Sequence, residues 1–305
     1  MNRYLLRRLG QAIITLIGVS MVVFLLTRMS GDPALLMAPQ DATEKDIERI
    51  RLELGLDQPV HVQYVKYAWG VLRGDFGRSF RFDRPALDMF LERFPNTLKL
   101  SLVALFLAVA IGIPTGILSA VKVERGFDRF GKIFALFGQA LPRFWLGIIL
   151  ISLFATTLKI LPTSGMGTWK HYVLPSVTLA WFATASLTRL SRSSMLDVLD
   201  AEYIKMARIK GLPEFWVILK HGFRNAMSPV VTMLGLQFVA LLNGAVITET
   251  IFTWPGVGRL IVEAIFARDF PVVQMCVLIA SFLFVFINLF VDVLYAYIDP
   301  RIRYQ

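Results

Sequence analysis

Three groups of residues in this 305-residue sequence have types and spacings that bear on chemistry, and the first two fail. Gly126-Phe127-Asp128-Arg129-Phe130-Gly131-Lys132 has the glycine and lysine spacing of a phosphate-binding loop. Such a loop needs a Ser or Thr after the lysine to hold magnesium and a strand leading in. Here Ile133 follows, no strand is predicted before it, and the run occupies a short turn between two apolar stretches. Neither ATP nor magnesium is therefore expected on this chain, and any ATP hydrolysis belongs to partner subunits. Metal chemistry lacks ligands at useful spacing: His61, His171 and His221 are scattered, and Cys276 stands alone in an apolar run. No His-Glu-x-x-His helix, Gly-x-Ser-x-Gly elbow or intramembrane carboxylate pair is present, so no catalytic residue is assigned and the chain is not read as an enzyme. The third group consists of polar residues inside apolar runs: Gln139 and Arg143 around Pro142, Gln237 and Asn243, Glu249 at the end of that run, then Asn288 and Asp292. Polar groups at bilayer depth are costly and by default face a bundle interior. Gln139, Arg143, Gln237, Asn243 and Glu249 are read as lining a pathway, and Asn288 and Asp292 as helix-packing residues. An arginine on a pathway suits a substrate carboxylate, whose two oxygens match the guanidinium fork.

The elements that must position these residues follow from composition. The sequence is 56% hydrophobic and 18% charged, too apolar for a soluble domain of this length. Its formal charge of +10 then reads as the Lys and Arg excess that keeps loops cytoplasmic, not as a nucleic-acid surface. Six transmembrane helices are expected in an all-α integral membrane protein, with both termini cytoplasmic. Residues 1–28 form an uncleaved first helix behind Arg3, Arg7 and Arg8. Residues 29–96 form a long extracytoplasmic loop region with short helices near 42–54 and 64–72, the first stopped by Gly55. Residues 97–298 form a five-helix core with spans near 100–121, 133–158, 172–188, 229–248 and 270–298. Residues 249–269 are an outer turn, and 299–305 a cytoplasmic tail.

A polar interruption at 191–228 separates the fourth and fifth spans. Ser193 or Ser194 is expected to cap a helix starting near Asp197, with acids in its first turns and Lys205, Arg208 and Lys210 in its last. Gly211 ends it and Pro213 opens a second helix that stops at Ser228-Pro229. A tethered helix-turn-helix of this kind cannot enter a DNA groove. Its exposed apolar and basic side chains suit docking into a groove on a protein.

These residues also resemble a known family. Ala207-Arg208-Ile209-Lys210-Gly211, followed by His221-Gly222-Phe223-Arg224-Asn225-Ala226 and Pro229, is similar to the cytoplasmic "EAA" loop of ABC-importer permeases, in the variant of the dipeptide/oligopeptide/nickel subfamily. Lys205 stands where a Glu is usual, and Phe223-Arg224 replaces Leu-Pro, as that subfamily does. Gly31-Asp32-Pro33-Ala34, Leu54-Gly55-Leu56-Asp57-Gln58-Pro59, Gly74-Asp75-Phe76-Gly77 and Asp299-Pro300-Arg301 extend the resemblance over the chain. It implies a type I importer permease in a bacterial inner membrane, assembled with a second permease, two ATPase subunits and an extracytoplasmic binding protein. It further implies that Ala207, Arg208, Lys210, Gly211, Pro213, Glu214, His221, Arg224 and Asn225 couple the chain to the ATPases. Di- or oligopeptides are the implied cargo, with glutathione or a nickel chelate as alternatives. The competing reading, an ion-driven secondary transporter, would need inverted repeats and an intramembrane ion site, and only the Pro142 break hints at those.

Overall fold

The computed structural model describes residues 2–38, 41–53 and 55–298, with side chains over 8–38, 41–53 and 55–290. Asp292 and the 299–305 tail therefore lie outside the described side chains. The described residues are helical, and the one β-type contact among them is an isolated bridge between Arg78 and Pro85. The chain divides into two compact units, residues 1–95 with 259–289, and residues 96–258 with 290–300.

In the first unit, α1 (Asn2–Met29) contains the expected first span. Asp32 caps the short α2 (Pro33–Met37), its carboxylate accepting from the Ala34 N–H at 3.0 Å, with Pro33 opening the helix. Arg51 of α3 (Glu44–Glu53) donates to the other Asp32 oxygen at 2.6 Å. Gly55, at φ +64°, ends α3 as expected. Then α4 (Val60–Leu72) starts four residues before the helix expected near 64–72, and it packs against α1. The Tyr64 hydroxyl meets Ser20 Oγ at 2.8 Å, and the Tyr64 and Tyr67 rings each pack 5.6 Å from Phe24. The last span, α13 (Phe270–Ile298), has the expected bounds and joins α1 through a hydrogen bond from Gln274 to Thr27.

The second unit takes over α5 (Ala86–Val121) from Asn96 and continues through α6 (Gly126–Ala140), α7 (Arg143–Leu150) with a π-helical extension Ile151–Thr157, and α8 (Lys170–Leu199). After these come α9 (Glu202–Ile209), α10 (Glu214–Trp216) with a π-helical run Val217–Phe223, and α11 (Arg224–Ile251). The core forms around α8, where Leu179, Ala180, Ala183 and Leu187 meet Leu100, Ala104 and Ala108 of α5 and Val230, Leu241 and Ala245 of α11. Small residues bring the backbones together. A Cβ on Gly116 of α5 would lie 2.5 Å from the Thr188 carbonyl oxygen, and one on Gly138 of α6 would lie 2.3 Å from the Ala185 Cβ. This is the small-residue contact by which helices approach in a membrane, where burial of apolar surface supplies little drive.

Several boundaries differ from those read in the sequence. Among the described residues, four helices are long and apolar enough to cross a bilayer: Arg8–Met29, Ala86–Val121, Glu214–Ile251 and Phe270–Phe290. The expected third span is two helices, α6 and α7 with its extension, bent by 105° at Leu141-Pro142. Pro142 caps α7 and cannot continue the helix before it. The expected fourth span, α8, has the length but is rich in Ser and Thr; its Thr178, Thr184 and Thr188 hydroxyls bond back to carbonyls one turn earlier. Such a helix is shielded by its neighbours and has no need of a lipid-grade surface. Inside the expected outer turn, α12 (Val257–Phe266) was not foreseen, and Trp254 is fully buried with its indole N–H on the Asn96 carbonyl at 3.1 Å.

Candidate functional site

The interrupted segment folds as helix, turn and helix, with both helices shifted from the expected bounds. Residues Ser191–Leu199 still belong to α8, so the helix expected near Asp197 begins at Glu202 instead. Asp200 and Ala201 make the break, Ala201 being extended at ψ 146°. The second helix does not stop at Ser228-Pro229, because Pro229 lies inside α11. Proline is tolerated there as in other spans, where neighbouring groups satisfy the carbonyl freed one turn back.

On α9, Ile204 and Ala207 are buried with Val217 against Val198 and Leu199, which fixes the helix to the end of α8 and to the following π-helical run. The opposite face presents Tyr203, Met206 and Ile209, the last two 56% and 78% exposed, beside Lys205, Arg208 and Lys210. Gly211 turns the chain at φ +74°, a conformation costly for any residue with a Cβ. Arg208 spans that turn with two hydrogen bonds to Glu214, from Nε at 3.2 Å and Nη2 at 2.8 Å. Beyond Pro213, the side chains of Leu212, Phe215, Trp216 and Leu219 are exposed as well. Asn225 donates to the His221 carbonyl at 2.8 Å, and Arg224 is exposed. Of the nine residues implied for coupling, Ala207 is an internal anchor and His221 is half-buried, while the others reach the surface. The exposed side of this segment thus combines apolar side chains with the cations Lys205, Arg208 and Lys210.

The residues read as a pathway separate into two places. Arg143, the first residue of α7 after the bend, sends its guanidinium between α8 and α11, 5.5 Å over the Phe182 ring and against Gly244, where an added Cβ would lie 1.9 Å from Nη1. Asn243 is exposed on α11 beside that glycine. Gln139, four residues before Arg143, keeps a buried Nε2 without a hydrogen-bond partner. Gln237 is buried, at 3% exposure. Glu249 is also fully buried and belongs to packing: it accepts from Thr97 Oγ1 at 2.6 Å, that hydroxyl accepts from the Val257 N–H at 2.8 Å, and Gly256 and Gly258 close on the carboxylate. A carboxylate enclosed in this way does not line an open path in this conformation.

Sequence reasoning passed over Asp128, which it met only inside a failed phosphate loop. Asp128 is fully buried and accepts from Arg192 Nε at 2.6 Å and Nη2 at 3.0 Å, from the Glu124 N–H at 3.0 Å, and pairs with Lys132 at 2.9 Å. It fastens the basic turn and the start of α6 to α8 at Arg192, seven residues before α8 ends. Phe182 and Gly244, the seat of Arg143, were also missed, since a phenylalanine and a glycine on separate helices carry no signal without the packing.

The described residues thus form an all-helical chain with several helices apolar enough for a bilayer and a polar corner at a broken span, the architecture expected of a membrane permease. Residues 112–304 match the family described as binding-protein-dependent transport system inner membrane component, and residues 1–101 match its N-terminal component. The chain belongs to this family and is an inner-membrane permease of an ABC importer in the peptide/nickel group. It is similar to the glutathione transport system permease protein GsiC of Salmonella typhimurium strain LT2, 47% identical over 306 residues and covering 100% of both chains. Its identity to GsiC of Escherichia coli strain K12 is 46% with the same coverage. Its fold is similar to that of a chain of the MetNI methionine ABC transporter in an inward-facing conformation, at TM-score 0.58 and 17% identity over 70% of this chain and 97% of that one. An amino acid ABC transporter solved with histidines gives TM-score 0.56 at 15% identity, over 69% and 94%. Membership in an ABC family retires the ion-gradient alternative.

Proposed function

We propose that this chain is one of two permease halves of an ATP-driven importer of glutathione, and that α9 carries the motion of the ATPase subunits to the pathway. The observation that carries the cargo is the 47% identity, over the full length of both chains, to permeases of glutathione transport. Glutathione replaces the wider di- and oligopeptide cargo expected from sequence, while the machine stays the same. The partners are a second permease, two ATPases and an extracytoplasmic binding protein. Six spans with both termini in the cytoplasm remain the topology of this reading, with α6 and α7 sharing one broken span and α8 as a shielded one.

The coupling reading is supported by how α9 is held. Its buried face leaves it little freedom to slide on α8, so a push on Met206 and Ile209 moves the end of α8 as a body. Arg192 and Asp128 then pass that displacement to α6 and its bend. Such transitions occur between discrete packed states.

The test is reconstitution of the complete importer in proteoliposomes, with uptake of radiolabelled glutathione, dipeptides and a nickel chelate followed with and without ATP. ATP-dependent glutathione uptake that excess dipeptide does not inhibit supports the reading. Uptake of dipeptides with no uptake of glutathione would overturn it.

A further inference from the structure

We propose that Arg143, seated between Phe182 and Gly244, is the group of this chain that binds a carboxylate of the cargo inside the membrane. This rests on the reading of the cargo as a carboxylate-bearing peptide.

Depth comes first. Gly244 lies seven residues before the end of α11, about 10 Å below it at 1.5 Å per residue. Phe182 lies twelve residues into α8, about 18 Å from its start. The guanidinium between them is therefore well inside the helical bundle and beyond the reach of snorkelling to the end of either helix.

Charge comes second. No carboxylate among the described residues lies within ion-pair distance of Arg143, although Asp128, Glu249, Glu263 and Asp269 each have a partner. An intramembrane cation without a counter-ion is costly, and such residues mark substrate and ion pathways. The face of Phe182 offsets part of that cost and leaves the donors of the fork available. The shape of the seat supplies a third argument, because Gly244 leaves no room for a side chain where Nη1 rests. Any larger residue would push the guanidinium away from this position. Gln139 adds a second donor without a partner at the same bend.

A guanidinium in such a seat selects a planar anion with two acceptor oxygens, which is a carboxylate. In the proposed cycle, the binding protein delivers the cargo, Arg143 holds one of its carboxylates while the path is closed on both sides, and the inward state lets water replace the contact. No covalent step is involved.

The experiment uses the full importer in proteoliposomes with saturating binding protein, reading the maximal rate of glutathione uptake together with ATP hydrolysis. Arg143→Gln is expected to lower uptake about tenfold to a hundredfold, the worth of one charge-assisted contact, with assembly of the complex unchanged. Arg143→Lys keeps the charge without the fork and loses less. Gly244→Ala dislodges the guanidinium and lowers uptake like Arg143→Gln, yet adds nothing in the Arg143→Gln background, because the seat is then empty of charge. Uptake by Arg143→Gln within about twofold of a wild type that imports glutathione would overturn the assignment. So would loss of permease pairing in Arg143→Gln, which would make the counter-ion an acid of the partner permease. A wild type that imports some other carboxylate-bearing cargo overturns the glutathione reading alone, and the same variants then test the seat with that cargo.

Discussion

Arg192 of α8 grips both carboxylate oxygens of Asp128 on α6, at 2.6 Å and 3.0 Å, and Asp128 has no exposed surface. A buried pair of this kind contributes little relative to apolar residues of the same volume, but removing one partner leaves a charge without compensation. Asp128→Ala is expected to cost about 3–5 kcal/mol, while the double change Asp128→Leu with Arg192→Met recovers most of it. The fraction of monodisperse protein surviving a heating series in detergent measures both. Equal heat resistance in Asp128→Ala and wild type would remove the pair from the account.

Close helix contact through glycine gives a second prediction. At Gly116, an added Cβ would lie 2.5 Å from the Thr188 carbonyl and 2.7 Å from the Ser191 Cβ, neither of which can swing away as a long side chain would. Gly116→Ala should cost about 1–3 kcal/mol through forced separation of α5 and α8. Gly126→Ala, with nothing within 4 Å of the new atom, serves as the control and should leave the heating curve nearly unchanged.

How much of this was legible in the sequence depended on whether a signal was local. The bounds of α13 came from a mostly apolar run between Phe270 and Ile298, and the Gly211 turn from a glycine with a proline two residues on. The start of α9 was misread because Asp197 and Asp200 look like a first turn, whereas α8 continues through Asp197 to Leu199 on the strength of Met195 and Leu196 packing with Ala120 and Ala226. Tertiary contact overrode a capping signal. Similarly, Trp254-Pro255-Gly256 reads as a turn, and nothing local reveals that Trp254 fills the core against Tyr172, with ring centres 4.6 Å apart. Pro229 was taken as a stop by a rule that holds in water and fails for a span. Arg143 was found because an arginine in an apolar run is conspicuous; its seat required the fold.

Docking through α9 predicts a loss that leaves folding intact. Ile209 is 78% exposed and has no part in the cluster that anchors the helix. Ile209→Asp should therefore insert and fold normally, while its affinity for the ATPase subunits falls by at least about thirtyfold, as for an anchor residue at an interface. Copurification of the ATPases at increasing detergent stringency reads this directly.

The Asp32 contacts carry a pH prediction. The hydrogen bond from Arg51, reinforced by that from the Ala34 N–H, holds the Asp32 carboxyl below the ordinary carboxylate range despite some burial. A folded-state pKa below the unfolded one stabilises at higher pH, and that stabilisation is lost as pH falls below the ordinary value of about 4. Hydrogen exchange across α2 and α3 should thus be protected equally at pH 5 and pH 8, after correction for the intrinsic rate, and lose protection below about pH 4. Asp32→Asn should show the reduced protection already at pH 7.

The central claim, that α9 couples ATP hydrolysis to passage of cargo, is tested most directly by the number of glutathione molecules imported per ATP hydrolysed in proteoliposomes, for wild type, Gly211→Val and Gly211→Asn. Gly211 has open space around it, so the whole effect of a substitution is the left-handed backbone at φ +74°, which a β-branched residue resists and asparagine tolerates. The account predicts that Gly211→Val assembles and hydrolyses ATP with little import, and that Gly211→Asn stays near the wild-type ratio. An unchanged ratio in Gly211→Val would contradict it.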